Sequence, residues 1–580
     1  MASNLGVVEL TICLHYCFDS PADKIIWDVG HQSYTHKLLT GRRDGFGSLR
    51  AFGGMSGFPK PNESEHDVFG TGHSSTSVSA ALGFAVTRDL QKENFRIVSV
   101  IGDGSLTGGL AFEAMNNAGR MNTDMIVVLN DNRMSISENV GALSRYLNRI
   151  RTAPSYLGAK SNVENFLNRI PLFGGKAGKF VERVKNSLRY LLVPGALFEE
   201  LGFTYVGPVD GHNINELIGV MDRVKKMKGP VLLHAYTVKG KGYARAEDSP
   251  RDFHGVDSFD IETGRPAFIK NGETYSDVFG TALCRIAERN KKIIAITAAM
   301  PVGTGLSKFA AAYPERCFDV GIAEGHATTF AAGVAKNGFI PVVAIYSTFL
   351  QRAYDQIAHD VCLQKLPVVF AVDRAGAAGG DGETHQGIFD LSYLTHIPNM
   401  TVMSPKNKKE FVRMIEFAIG LGAPAAIRYP RDAASAVLEE QDTPIILGKC
   451  EVIARGEKIL LISFGCMMDA MYEVYLRLRR GGHSPGLINA RFAKPVDPDM
   501  IKMIPEYDHC FVLEDGAGQG GFSSRVYEGL SSLGIKRGHY RSFSLPDEFP
   551  PQGTRAELFK KYGLDAESVY GAIASDIRKE

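Results

Sequence analysis

The stretch IVSVIGDGSLTGGLAFEAMNNAGRMNTDMIVVLNDNRMS, Ile97 to Ser135, decides how the chain folds. It opens on a run rich in β-branched residues, Ile97 to Ile101, the pattern of a buried strand. Gly102-Asp103-Gly104 ends that run, and Gly108-Gly109 leads into a helical stretch, Leu110 to Ala118. A second buried run, Met125 to Leu129, ends in Asn130-Asp131-Asn132. A strand, a helix and a strand in this order predict two parallel strands joined by a right-handed crossover. Parallel strands end on one edge of the sheet, where open α/β sheets bind ligands. Asp103 and Asn132 should therefore meet there. A carboxylate and a carboxamide are hard oxygen donors, suited to a magnesium ion that keeps water and shares phosphate oxygens. The glycines let main-chain N–H groups approach a phosphate, and the helix start adds partial positive charge. An isolated Gly-Asp-Gly would be no more than a capped turn. With Asn130-Asp131-Asn132 at the next strand end, the pair reads as a metal–diphosphate site.

Composition narrows the class. At 580 residues the chain is long enough for several domains, and its 44% apolar and 22% charged content is that of a soluble globular protein. A net charge of +1 argues against binding nucleic acid or a membrane surface through bulk charge. The eight cysteines are scattered without a CxxC pair, which suggests a reducing compartment. Cys13 and Cys17 would share a helix face while His15 points away, so this trio reads as core packing rather than a zinc site. No apolar run reaches membrane-spanning length, and the N-terminus has no basic region of a signal peptide. The expected location is the cytoplasm.

The words GDGSLTGGLAFEAMNNAG and VVLNDNRMSISENVGALS resemble the signature of thiamine-diphosphate enzymes, and of the 1-deoxy-D-xylulose-5-phosphate synthase family in particular. The resemblance runs from Ala2 to near the C-terminus. It implies an α/β fold of three domains with mostly parallel sheets, transketolase-like: a thiamine-diphosphate-binding fold twice, then a transketolase C-terminal domain. The domains would span residues 1–270, 271–447 and 448–580. It implies metal ligation by Asp103, Asn132 and the carbonyl of Met134, with Gly104 and Ser105 at the cofactor. It further implies a homodimer in which both cofactor-binding domains come from one subunit. Family members carry a helical segment upstream of Ala2-Ser3-Asn4-Leu5-Gly6, so the chain reads as lacking that segment.

Along the first domain, Ala2 to Phe18 reads as a helix and Ile25 to Val29 as a short strand. Gly30-His31 sits at that strand's end, and Gly72-His73 precedes an Ala-rich helix, Val78 to Leu90. Two histidines feeding the sheet edge of Asp103 suit proton transfer and carboxylate contact. Leu143 to Leu192 is basic and irregular and reads as an excursion. Val231 to Val238 is a further strand, followed by Lys239, a charge able to neutralise diphosphate. Val209-Asp210-Gly211-His212 matches a family word to which chemistry gives no role. The resemblance places His31, His73 and His254 in the catalytic pocket and assigns Lys239 to the diphosphate. Arg251 to Tyr275, rich in Asp, Gly and Pro, reads as a linker.

In the second domain, strands Ile293–Ile296, Val342–Ile345, Val368–Val372 and Ala425–Ile427 alternate with helices. Glu324 stands at a strand-to-helix transition, before the small apolar helix His326 to Ala335. Thiamine diphosphate needs a carboxylate against its pyrimidine N1′ to promote loss of the thiazolium C2 proton, and Glu324 fits. By resemblance, Ile322 lies between the cofactor rings, Phe349 stacks on the pyrimidine, and Tyr346 and Arg352 face the substrate. Gly325 replaces the Gln usual in the family. Arg352, Arg374 and Arg428 each lie at or just past a strand end, where three guanidiniums suit a phosphate monoester. Arg431 reads as a surface residue. Asp381 and His385 add hydrogen-bonding and proton-transfer groups beside them.

The last domain should hold strands Ile459–Ile462, Gly486–Asn489 and Phe511–Glu514. Its Gly516-Ala-Gly-Gln-Gly-Gly521 is a formal GxGxxG, but the acid expected about 20 residues later is missing, so it reads as a tight turn. The implied reaction condenses pyruvate with D-glyceraldehyde 3-phosphate and releases carbon dioxide, using thiamine diphosphate and magnesium. Transketolase and the E1 component of 2-oxoacid dehydrogenases share the cofactor and are the nearest alternatives. A nicotinamide-dependent oxidoreductase using the C-terminal glycine loop is a more distant one.

Overall fold

The parallel pairing expected around Asp103 is present in a computed structural model, which describes residues 1–134, 140–151, 195–256, 258–267, 272–535 and 539–578. Two compact units emerge, Met1–Gly47 with Gly57–Ile269, and Ser48–Ser56 with Lys270–Glu580.

Unit 1 is built on five parallel strands, β1 (Lys24–Trp27), β2 (Ile97–Gly102), β3 (Met125–Asp131), β4 (Thr204–Asp210) and β5 (Pro230–Tyr236), in the order β1-β2-β3-β5-β4. Gly102 lies opposite Asn130 in the β2–β3 register, so the two turns that follow start side by side. Helices Ser77–Gln91 and Gly109–Met121 pack on one face of the sheet, and Val8–Cys17 with Ile214–Val224 on the other. The helix from Gly109 buries Ala111, Ala114, Met115 and Ala118, a three-and-four spacing that makes one small-residue stripe. Its Gly119 is obligatory, because a Cβ there would lie 1.6 Å from the Leu201 carbonyl oxygen. The single helix expected over Ala2 to Phe18 is two, Ala2–Leu5 and Val8–Cys17, which divide at Gly6 where the chain passes against Val238. Cys13 and Cys17 are buried with their sulfurs 4.0 Å apart, and His15 turns away to His36. Of the basic stretch from Leu143, the part to Arg151 lies in a helix, Ala142–Arg151. Residues 152–194 lie outside those described.

Unit 2 holds two sheets. The first uses β6 (Ile293–Thr297), β7 (Cys317–Asp319), β8 (Ile340–Tyr346), β9 (Val369–Asp373), β10 (Thr401–Met403) and β11 (Ala425–Arg428), all parallel. The second uses β12 (Glu451–Ala454), β13 (Ile459–Ser463), β14 (Gly486–Asn489), β16 (His509–Ala517) and β17 (His539–Leu545), parallel except for β12. Between β14 and β16, strand β15 (Phe492–Lys494) leaves the second sheet and pairs antiparallel with β10 at the edge of the first. One apolar core joins the two sheets, with Val343, Phe370 and Val372 in the same cluster as Leu460, Ile462 and Val512. At about 1.5–3 kcal/mol for each fully buried aliphatic side chain, this shared core ties the last 130 or so residues to the first sheet of the unit.

Six strands escape the sequence pattern. β7, β10 and β15 are only three residues long. β17 carries exposed polar positions, β12 is four residues long with its glutamate buried and Val452 exposed, and β4 is interrupted by Gly207-Pro208, where its register with β5 shifts. The whole is an α/β architecture of mostly parallel sheets.

Candidate active site

In unit 1 the β2 and β3 turns close around Asp103. Its side chain is 3% exposed and hydrogen-bonds the Asp131 carboxyl. Burial, then the charge of Asp131, pushes the Asp103 carboxyl well above the usual range. Burial would raise Asp131 too, but a 3.0 Å hydrogen bond from His234 and that from Asp103 outweigh it and lower Asp131. Beyond β3 the chain curls back. Asp131 Oδ1 accepts the Arg133 N–H at 3.2 Å and Asn132 Oδ1 the Met134 N–H at 3.1 Å. The Arg133 N–H also faces Asp103, so the turn that carries Asn132 lies against the Asp103 carboxyl.

Lys239, just after β5, is 4% exposed. Burial lowers it to about 8 while Asp103 holds it up. His254 is driven well below the ordinary histidine range by burial, then by the charges of Lys239 and His31. The rings of His31 and His254 lie 5.2 Å apart. The turn with His73 is stitched to the same edge through Asp28, whose carboxylate accepts the Ser75 N–H at 2.8 Å and the Ser77 N–H at 3.1 Å. Ser75 Oγ donates onward to the carbonyl of the buried Ser105 at 2.7 Å. Asp28 is a site-organising residue that sequence reading passed over. Its only signal was an acid directly at a strand end before Gly30-His31.

These groups fit a hydrated divalent cation bearing a diphosphate. Asp103, the Asn132 amide and a main-chain oxygen form a hard donor set. Space is left beside them, since a Cβ built on Gly102 would meet nothing within 4 Å. The buried Lys239 could supply the countercharge. Gly104 and Ser105 form the short helical turn that follows Gly102.

In unit 2, Glu324 opens the helix Glu324–Lys336 and is 4% exposed. Burial raises its carboxyl, and Arg352, 3.8 Å away, opposes the rise. Ile322 precedes it, half-buried, in the turn after β7. Tyr346, at the end of β8, stacks on Phe349 at 5.7 Å between centroids, and Phe349 meets the His385 ring edge-on at 5.4 Å. The Arg374 guanidinium covers Tyr346 at 3.7 Å and donates to the Gly303 carbonyl at 2.8 Å. Gly303 must lack a side chain, because its Cβ would fall 1.6 Å from the Tyr346 hydroxyl. Burial lowers His385 while Asp381 holds it up, and Thr384 Oγ1 lies 2.8 Å from its Nδ1. Asp381 itself pairs with Arg50 and lies 3.9 Å from Arg431. Burial would raise Asp381, but His385, Arg50 and Arg431 bring it below the usual range.

Two corrections follow among the arginines. Arg428 does not stand with Arg374 as a phosphate ligand. It is 2% exposed, clamped by Asp390 at 2.9 Å and Asp515 at 2.6 Å, and ties the two sheets of unit 2 together. Arg431, set aside on sequence, joins Asp381 instead. Arg50 was missed altogether, because nothing in its neighbourhood indicates that Ser48–Ser56 belongs with unit 2. The C-terminal glycine loop is a closed turn. Glu514, fully buried, accepts the N–H groups of Phe522 and Ser523, both at 2.8 Å. It thereby fills the helix N-terminus that a dinucleotide phosphate would need.

Three family profiles tile the chain: 1-deoxy-D-xylulose-5-phosphate synthase over residues 1–237, the transketolase pyrimidine-binding domain over 272–435 and the transketolase C-terminal domain over 448–569. A 1-deoxy-D-xylulose-5-phosphate synthase of Natranaerobius thermophilus is 54% identical over 583 residues, covering 100% of this chain and 92% of that protein. One of Caldanaerobacter subterraneus is 54% identical over 575 residues, and one of Pelotomaculum thermopropionicum 53% over 575. Identity at this level, unbroken through both units and joined to the transketolase-type domains, means that the chain belongs to the 1-deoxy-D-xylulose-5-phosphate synthase family.

Proposed function

We infer that the chain is a transketolase-type transferase that condenses pyruvate with D-glyceraldehyde 3-phosphate to 1-deoxy-D-xylulose 5-phosphate and carbon dioxide. The observation that carries this is 54% identity over the whole chain to a synthase of that name. Thiamine diphosphate and magnesium are its resident groups. Asp103, Asn132 and the Met134 carbonyl would hold the cation; Gly104, Ser105, His31 and Lys239 would hold the diphosphate; Ile322 and Phe349 would hold the pyrimidine. Bound there, the cofactor supplies a carbon nucleophile toward the pyruvate keto carbon and an electron sink for loss of carbon dioxide.

The chain's own residues do the rest. Glu324, raised by burial, keeps its proton closer to neutral pH than an exposed glutamate and so can donate to a ring nitrogen. His385, whose hold on a proton burial weakens and Asp381 strengthens, can exchange a proton at the aldehyde oxygen. His31, His73 and His254 form the polar wall that orients a small carboxylate. Arg374 and Arg352, with Tyr346 and Asp381 beside them, bind the phosphorylated acceptor. The working form is a homodimer in the cytoplasm, and the boundaries 1–270, 271–447 and 448–580 mark its functional segments.

Carbon dioxide release from pyruvate, with and without D-glyceraldehyde 3-phosphate, tests the reaction. Glu324→Ala should lower turnover about 10²- to 10⁴-fold with an unchanged melting temperature. Activity of that variant equal to the unmodified enzyme sinks the proton-relay role.

A further inference from the structure

Behind Asp103 lies a second set of polar groups that the reaction does not use. The Tyr205 hydroxyl is 2.8 Å from His234 Nδ1, and His234 Nε2 is 3.0 Å from Asp131 Oδ2. Asp131 Oδ1 in turn accepts the Arg133 N–H at 3.2 Å, in the turn where Asn132 Oδ1 accepts the Met134 N–H at 3.1 Å. Tyr205, His234 and Asp131 are 1%, 0% and 2% exposed, so the string runs through the core of the sheet from β4 through β5 to β3.

The hydrogen bonds give the string an order. Asp131 Oδ1 is taken by the Arg133 N–H, which leaves Oδ2 for His234 Nε2, and the ring's other nitrogen faces the Tyr205 hydroxyl. The backbone is shaped to admit it. A Cβ on Gly207 would lie 2.5 Å from the His234 carbonyl oxygen, and one on Gly195 would lie 2.4 Å from the Tyr205 ring. Gly207 sits where β4 shifts register against β5, and that irregularity brings its backbone against His234. A buried polar chain satisfied link by link holds its members in one geometry. Its last member holds the turn of Asn132 and Arg133 at the edge of the cation site.

We propose that Tyr205, His234 and Asp131 are positioning residues that fix the turn of Asn132 and Met134, beside Asp103, for the divalent cation. This rests on the cofactor reading above. Supporting groups of this kind set the orientation of a ligand and with it the affinity for the metal.

The test is magnesium affinity of the full-length protein, titrated calorimetrically at saturating thiamine diphosphate, alongside the melting temperature without either ligand. His234→Leu should weaken magnesium about 10- to 100-fold. His234→Gln, whose amide can still donate to Asp131, should restore most of the affinity. Tyr205→Phe removes only the hydroxyl and should weaken magnesium less than His234→Leu. A purely structural role lowers the melting temperature and leaves magnesium affinity alone, and that result in the leucine and phenylalanine variants overturns the proposal. If His234→Leu does not fold, unchanged magnesium affinity in Tyr205→Phe overturns it alone. Failure of the unmodified protein to bind thiamine diphosphate in a magnesium-dependent way would instead overturn the cofactor reading, and this inference with it.

Discussion

Two glycine-rich turns follow buried strands in this chain, one after β2 at Gly102-Asp103-Gly104 and one after β16 at Gly516–Gly521. Both lead into helices, and both put acids at the strand end. In the first, Asp103 faces a neighbouring carboxyl, and a Cβ on Gly102 would touch nothing within 4 Å. In the second, Glu514 folds back into the turn, and a Cβ on Gly521 would lie 2.5 Å from its carboxylate and 2.3 Å from the Ala517 carbonyl oxygen. One turn is open beside its strand end; in the other the Glu514 side chain occupies the helix start. The difference is the reach of one side chain. A glutamate two residues before the first glycine has the length to cap the following helix, whereas Asp103, between the glycines, lies against Asp131 and Lys239.

Substitutions can break or sharpen this contrast. The largest effect should come from Asp103→Asn. A cation ligand should exceed the roughly 100-fold loss typical of a supporting residue, read as turnover at fixed magnesium. Its melting temperature without ligands should hold or rise, because an ionisable group is removed from the interior. Gly521→Ala should do the reverse, costing about 1–3 kcal/mol of stability by overpacking while turnover per folded molecule stays constant. Equal thermal behaviour of the two variants would erase the distinction.

A smaller effect concerns pH. Burial lifts Glu514 from 4.5 to about 7, so between those values the folded chain holds a proton that the unfolded chain has lost. Stability from this group is complete below about 4.5 and declines as pH rises toward 7, by up to about 3 kcal/mol. Glu514→Gln should flatten that decline in denaturant titrations at pH 5 and pH 7.5; an identical slope in both proteins refutes the assignment. The smallest effect is Gly102→Ala. Its φ of −79° suits any residue and its surroundings are open, so stability should change by less than roughly 0.5 kcal/mol. The added methyl narrows the open turn beside Asp103, so thiamine diphosphate should bind more weakly in equilibrium titrations.

Much of this was legible in the sequence. The Ile97 and Met125 runs announced two buried parallel strands, because a strand covered on both faces must be apolar along its length. Asp103 and Asn132 stand out for the same reason, each a polar residue just past the abrupt end of such a run, whereas Glu324, five residues beyond the short β7, stands out only at the start of its helix. Other features resist the method. Arg428 and Arg374 both stand at strand ends, and only the positions of Asp390 and Asp515 show that Arg428 is part of the framework. Arg50 reaches Asp381 from far along the chain, which no local period can signal. His234 and Tyr205 sit within strands, where a polar residue looks like an interruption until its partners are known.

Strand β15 has a consequence for anyone dividing the molecule. It belongs in sequence to the C-terminal segment but completes the border of the preceding sheet beside Thr401–Met403. A fragment ending before Gly448 would leave that row of main-chain donors and acceptors bare, an invitation to stack edge to edge with another copy. The tail thus acts as a selvedge for the sheet before it, and any expressed piece of unit 2 should carry it.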